Sequence, residues 1–418
     1  MNQIFTSFIF IFISFALLGC GKNSLSNACD PQNKFYRDYF TIKLILEDDT
    51  AYCGTKIVLP SICDLTPFEV IQPKKWKYVQ EELRKQFSKG KRETTTSIVP
   101  SPISGTAKWL GGVLLKDGNL VSLPYNEERI LTTKLGNFES KLISTQVSST
   151  GKWEGGVLAP NGKVYGIPRG ADNILVYDPI ASSVATLPSP LAGVNKWRGG
   201  VLAPNGKIYA MPVSVSSILV IDPSNDSTYL LPSPAIGSNL WEGGVLAPNE
   251  KIYGIPVDGD SILVINTKTD EVKTIPAPVS GTGKWRQGVL LASGKILGVP
   301  SSSNQFLIID PETDQVSTFD SPVTGLSKWR GASLAPDGNI YFFPADISKI
   351  LILNSENFTY STIESGVSGA NKWGDGVLTI DGRIILIPHT SDHFLSIQTG
   401  ANGSICESIL MSGYYNKY

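Results

Sequence analysis

An all-β fold, a seven-bladed β-propeller with four antiparallel strands per blade and a small N-terminal cap segment, is predicted by three features of the sequence. Trp109, Trp153, Trp197, Trp241, Trp285, Trp329 and Trp373 follow one another at a constant interval of 44 residues. Around each of them the same phrase returns, as in KWRGGVLAPNGKIYAMP at residues 196–212. Seven copies with no residue inserted or lost describe units that cannot fold alone and share one continuous core. The 418 residues also include 40 glycines and 27 prolines, and only 17% are charged, the composition of a turn-rich β protein.

The copy around Trp153 shows the strands in order. Gly155 to Ala159 reads as a first strand, with glycines where backbones crowd. Pro160-Asn161-Gly162 is a hairpin turn: proline presets φ, asparagine tolerates the next position and glycine supplies φ > 0. Lys163 to Pro168 returns as a second strand, and NILVYDP, ending in the turn residues Asp178-Pro179, is an apolar run suited to burial on both faces. SSVATLP is a fourth, more polar strand. A β-helix would show shorter rungs, and leucine-rich or helical repeats a different periodicity. The tryptophan is read as a plug between neighbouring blades, where a large side chain is needed, rather than as a ligand-stacking ring. Six hairpins end in Gly118, Gly162, Gly206, Gly294, Gly338 and Gly382, and the fourth blade alone carries Glu250, which must then adopt φ > 0.

Closure of the ring follows from the flanks. The segment before Trp109 matches the one before Trp197, so Thr96 to Pro100 is a fourth strand lacking its own first three. The last copy supplies those three and ends near Gln398, which sets the propeller at residues 96–398 and hides the sheet edges. Ser404 to Met411 competes for the same place, and the N-terminal strand is preferred, with the tail, residues 399–418, pinned nearby through Cys406. Residues 20–95 form a non-repeating cap or linker. In it FTIKLIL is strand-like, and KKWKYVQEELRKQFSK is helical, with Trp76, Val79, Leu83 and Phe87 on one face and Lys74, Lys75, Lys77, Arg84, Lys85 and Lys89 on the other. Such a helix packs its stripe on its own domain and solvates its charges.

The N-terminus has an apolar run of 16 residues, Ile4 to Gly19, too short for a membrane span and close to a signal-peptide core. Leu17-Leu18-Gly19-Cys20 resembles the lipobox of bacterial lipoproteins. That resemblance implies a signal peptide over residues 1–19, cleavage before Cys20, lipidation of its thiol and a mature chain anchored in the bacterial cell envelope, at the outer membrane. It departs from the usual pattern in having no Lys or Arg ahead of the apolar run. Cys29, Cys53, Cys63 and Cys406 remain, an even number in an exported chain, so two disulfides are expected in one of three connectivities. Cys29-Asp30-Pro31 with Cys53-Gly54 is similar to a head segment of some bacterial surface lipoproteins, a similarity that carries no activity.

Function is sought on the face that collects the start of each first strand and the end of each second. The residues after the tryptophans, Leu110, Glu154, Arg198, Glu242, Arg286, Arg330 and Gly374, are the least uniform in the repeat. The loops after the second strands reach the same face and add Arg169, Asp258 and His389, so Glu154, Arg169, Arg198, Glu242, Asp258, Arg286, Arg330 and His389 are the candidate ligand-binding residues. Glu154, Arg198, Glu242 and Arg286 alternate in sign and suit mutual pairing, which is the preferred reading; the alternative, with Arg286 and Arg330 in surplus, is a mixed-charge channel mouth for a polar or acidic partner. His389, Asp392 and His393 are three possible ligands in one short loop, without a matching cluster in another blade, and no metal is expected there. Asp178, Asp222 and Asp310 are turn formers. With no phosphate loop, nucleophile elbow or metal-spaced cysteine pair, neither a cofactor nor a catalytic residue is assigned, and the net charge of −1 sets nucleic acid aside.

The whole repeat, about three quarters of the chain, resembles that of bacterial and protist propeller proteins of unassigned activity, and differs from WD40 and kelch repeats in its signature residues. The expected function is a lipid-anchored, monomeric, non-catalytic binding module for a protein or glycan at the bacterial cell surface. A periplasm-facing assembly scaffold is the alternative. A lactonase-like enzyme with a central-channel site ranks last, because no blade shows the inward carboxylate set it would need.

Overall fold

The structure, a computed structural model, describes residues 37–39, 63, 73–87, 92–401 and 405. The chain divides into two units, Met1–Ser61 and Ile62–Tyr418. Of the first only the helical stretch 37–39 is described; the propeller belongs to the second. The leader, FTIKLIL, Cys20, Cys29, Cys53 and Cys406 lie outside the described residues.

Among the described residues the strands form seven four-stranded antiparallel sheets, numbered here as blades 1 to 7 by their tryptophans. Blade 1 runs from Trp109–Leu114 through Asn119–Pro124 and Arg129–Lys134 to Glu139–Ser144. The first strand of every blade neighbours those of the blades on either side, blade 7 beside blade 1 included, so the ring is closed. Blade 7 takes three strands from the C-terminal side, Trp373–Leu378, Arg383–Pro388 and His393–Gln398. Its fourth is Thr95–Pro100, paired antiparallel from Thr95 opposite Gln398 to Pro100 opposite His393. The competing Ser404–Met411 segment does not hold that edge. Ile405, its one described residue, is buried where its amide donates to the Ile380 carbonyl at 2.7 Å.

Burial follows the layers. The innermost strand of blade 1 is buried throughout, while the outermost strand of blade 2 alternates between exposed and half-buried, as expected of an edge facing water. All seven ring tryptophans are fully buried. Each indole N–H donates to the carbonyl at the start of its own third strand, from Trp241 to Ser261 at 2.7 Å and from Trp153 to Asn173 at 2.9 Å. The buried ring therefore keeps its polar atom satisfied, and none is available to stack on a ligand.

Two further devices join the blades. On the hairpin-turn face Asn161 donates to the Tyr165 hydroxyl at 2.9 Å, and Tyr165 donates to Asp226 of blade 3 at 2.5 Å. The set recurs as Asn205, Tyr209 and Asp270 and as Asn249, Tyr253 and Asp314. Burial and the facing carboxylate raise these phenols far above their usual range, so they stay protonated donors. Helix α1 (Pro73–Phe87) buries Trp76, Val79 and Leu83 against the propeller core, and Trp76 donates to the Leu291 carbonyl in the blade 5 hairpin at 2.9 Å. The apolar stripe thus packs as its spacing predicts; Lys85 on the polar side is exposed and pairs with Glu82 at 2.6 Å. The side chains of Phe87 and of the other basic residues of this stretch are outside what the structure describes.

The turn rule holds where the residue disobeys it. The six hairpin glycines have φ between 79° and 85°, and Glu250 has φ 62°.

Candidate functional site

Each first strand begins with a bulge immediately after its tryptophan, as between Arg198 and Gly200. The bulge turns two successive residues toward the ring axis. At the second of these positions five blades have glycine; at Gly111 a Cβ would lie 2.7 Å from the Gly155 Cα of the next blade. A cavity of about 20 Å3 here is lined by Leu110, Glu154, Arg198, Glu242, Gln287, Arg330 and Asp375 together with glycines of the innermost strands. That is room for about one water-sized group.

The loops around this mouth are held from below. Six buried lysines precede the tryptophans, and each ammonium donates to loop carbonyls. Lys196, for example, donates to Gly193 at 2.5 Å in its own loop and to Ala171 at 2.8 Å in the loop of the preceding blade. Burial lowers the pKa of these amines, Lys328 to about 8. Blade 4 has Leu240 in that place. These lysines were not singled out in the sequence, although their recurrence before Trp is visible in it.

The predicted charged residues converge. Glu154 is contacted by Arg169, Arg198 and Arg330, each at 3.1 Å, the last from across the ring. Glu242 is contacted by Arg198 at 3.1 Å and Arg286 at 3.0 Å. Pairing is therefore not confined to adjacent blades: Arg286 and Arg330, which the sequence left in surplus, both have carboxylate partners. The excess belongs to the set, four guanidinium groups on two glutamates. Burial alone would raise Glu242, but Arg286, Arg198, Arg330 and Arg169 hold it down to about 2. Burial, with repulsion from Arg198, Arg330 and Arg286, lowers Arg169 to about 10. The buried Nε–H groups of Arg169 and Arg198 both face Glu154 Oε2 at 3.1 Å.

Asp258 joins this network one step removed. It accepts from Asn239 at 2.9 Å, and Asn239 accepts from Arg198 at 2.9 Å; Asp258 also accepts the Gly283 amide at 2.6 Å. His389 is buried at the rim, its Nδ1 3.0 Å from the Trp109 carbonyl, where it donates as the Nδ1–H tautomer, and its ring edge-on to Tyr125. Arg169 stacks over the other side of Tyr125 at 5.3 Å. Burial, and then Arg330, lower His389 to about 3, so it is neutral. His389, Asp392 and His393 do not converge. Asp392 instead accepts the Gly105 amide and pairs with Lys108 at 3.5 Å, and among the described residues no group of His, Cys, Asp and Glu forms a metal site.

Two residues of the site were overlooked in the sequence, and both replace the bulge glycine: Gln287 in WRQGVL and Asp375 in WGDGVL. Asp375 adds a third inward carboxyl to the cavity beside Glu154 and Glu242. Gln287 keeps the left-handed backbone of the glycine it replaces, at φ 53°, a strained state for a side-chain-bearing residue. Its amide fills the space that Gly331 leaves open, where an added Cβ would fall 2.1 Å from Gln287 Oε1. Asp375 is buried; its Oδ1 accepts the Gly376 amide at 2.8 Å and its Oδ2 has no well-aligned partner. Burial raises this carboxyl to about 7, against the opposing pull of the Gly376 and Gly112 amides, Gln287 and Arg330.

No family model and no curated protein matches the sequence. Solved propellers do. Virginiamycin B lyase from Staphylococcus aureus, in a structure with quinupristin, is 14% identical, with a TM-score of 0.64 over 73% of this chain and 99% of that one. YCF48 bound to D1 peptide is 11% identical, with a TM-score of 0.56 over 73% and 94%. An extracellular domain from B. thetaiotaomicron is 10% identical, with a TM-score of 0.57 over 75% of this chain and 44% of that one. At these identities the likeness is one of fold.

Proposed function

We propose that this protein is a non-catalytic binding module of the bacterial cell envelope, anchored through a lipid on Cys20 and displayed at the outer surface, that engages an anionic group of a protein or glycan at the charged mouth of its propeller. One observation carries the reading: four arginines converge on only two glutamates at the axis. An acidic ligand group meets that charge excess. Glu242 is held ionised by its arginines and His389 is neutral with Nδ1 engaged, so neither of these two changes charge near neutral pH. The similar folds include an extracellular domain and a propeller solved with a peptide, in keeping with export and with a protein partner.

Peptide and glycan arrays probed with the purified chain test this reading. Acid-bearing probes should be retained by the wild type and lose about tenfold in affinity with Arg330→Gln; retention of neutral probes alone overturns it. Protease shaving of intact cells tests display: loss of the protein supports an outward face, and full protection favours the periplasm-facing scaffold. Mass spectrometry of the mature N-terminus should find acylated Cys20, and alkylation before reduction should leave Cys29, Cys53, Cys63 and Cys406 unmodified as two disulfides.

A further inference from the structure

The axial cavity holds two departures from the repeat that the charged ring does not explain. Glycine is the commoner residue at this position, present in five of the seven blades. Gln287 instead bears a left-handed φ of 53°, which costs a non-glycine residue about 1 kcal/mol or more. Asp375 is buried, with the Gly112 amide and the Gln287 side chain facing its carboxyl but no well-aligned hydrogen bond to Oδ2. Strained and imperfectly satisfied groups persist in a rigid core where the surroundings use them. Gly331, between them in the ring, leaves the space that the Gln287 amide fills, so the two polar groups share one cavity.

We infer that this cavity seats a single carboxylate of the ligand, one oxygen held at the axis by the Asp375 carboxyl acting as hydrogen-bond donor beside the Gln287 amide, the other facing Arg330. The inference rests on the anion-binding reading above and names the group recognised. A cavity of about 20 Å3 takes one oxygen atom, so the ligand enters by its tip, as a chain-terminal or ring-borne carboxylate does. Discrimination comes from Asp375. In its protonated form it donates to a carboxylate oxygen; in its ionised form it repels one. The charged groups that share the cavity are Arg330, Arg198, Glu154 and Glu242. Glu242, held down to about 2, is ionised throughout the neutral range. Asp375, raised to about 7 by burial, changes charge within that range. Above that pH, binding takes up one proton, and affinity falls with rising pH.

Titration calorimetry on the full chain tests this with four probes: an acetylated tripeptide with a free C-terminal carboxylate, its C-terminal amide, D-glucuronate and D-glucose. A carboxylate probe should bind and its neutral counterpart should not; which acid binds separates a peptide end from a uronic acid. Affinity should drop about tenfold or more between pH about 6 and about 8.5. Asp375→Asn, which keeps an N–H donor and cannot ionise, should bind equally at both. Asp375→Ala should lose about tenfold at the lower pH, with its melting transition showing that the ring is intact. Carboxylate binding that is flat with pH in the wild type, or that Asp375→Ala leaves unchanged, overturns the inference and leaves the anion site standing. No binding by either acid overturns both.

Discussion

Arg330 of blade 6 reaches across the ring to place its guanidinium 3.1 Å from the carboxylate of Glu154 in blade 2, 176 residues away in the chain. Glu154 also receives Arg169 and Arg198, so one buried carboxylate is the common anchor of three cations from three blades. Its removal leaves those charges close together without compensation. Glu154→Gln should lower stability by roughly 3–5 kcal/mol, measured by urea unfolding. A change under about 1 kcal/mol would show that the arginines are solvated and that the mouth is not a pre-formed site.

The ring tryptophans should behave as structural plugs. Trp197 is fully buried and donates to the Ser217 carbonyl at 2.8 Å. Trp197→Ala should cost roughly 3–5 kcal/mol, part of it from the orphaned carbonyl. Calorimetry showing a loss below about 1 kcal/mol would contradict the buried position.

Glu250 stands at φ 62° in a turn where six equivalents are glycine. Glu250→Gly should stabilise the protein by a few tenths to about 1 kcal/mol. The ion pair it gives up, with Lys268 at 3.0 Å, is largely solvent-exposed on the lysine side and contributes little. A lower melting temperature in the glycine variant would mean that this pair or the Glu250 side chain outweighs the backbone strain.

Asp375 gives stability a pH dependence of unusual sign for a carboxyl group. Its folded pKa is raised to about 7 by burial, against about 4 in an unfolded chain. Between those values the folded state binds more protons than the unfolded state, so this contribution is fully present below about pH 4 and is lost as pH rises through about 7. Asp375→Asn should therefore be more stable than wild type by roughly 2–4 kcal/mol at pH about 8, with the gap closing at pH about 4. Guanidinium titrations at the two pH values read this directly. An equal offset at both would assign the effect to packing rather than to the proton.

Much of the fold was legible because each blade repeats a local instruction. The 44-residue interval, the hairpin turn and the buried third strand each depend on a short window of residues, and propensity and patterning act over windows of that length. Even the exception at Glu250 was legible, since a fixed period imposes one backbone on every copy. The charged candidates at the mouth were legible as the variable position beside invariant ones. Gln287 and Asp375 carry the same kind of signal, a break in Gly-Gly one position further on, but a neutral amide and a single carboxyl do not announce a charged ring as the alternating residues before them do.

The number of blades, the strands within them and the residues delivered to the axis follow from periodicity and local sterics, which short stretches of the chain contain. What those residues do on arrival is a matter of the assembled ring. The tertiary structure chose Thr95–Pro100 as the closing strand, through pairing with His393–Gln398. It brought Arg330 to Glu154 rather than leaving it in surplus, and took His389 out of any cluster by binding its ring to the Trp109 carbonyl. It also buried Asp375 deeply enough to hold a proton near neutrality. Distance across a closed ring and the loss of water at its axis are properties of the assembled blades; no window of sequence contains them, and they set the charge state of the site.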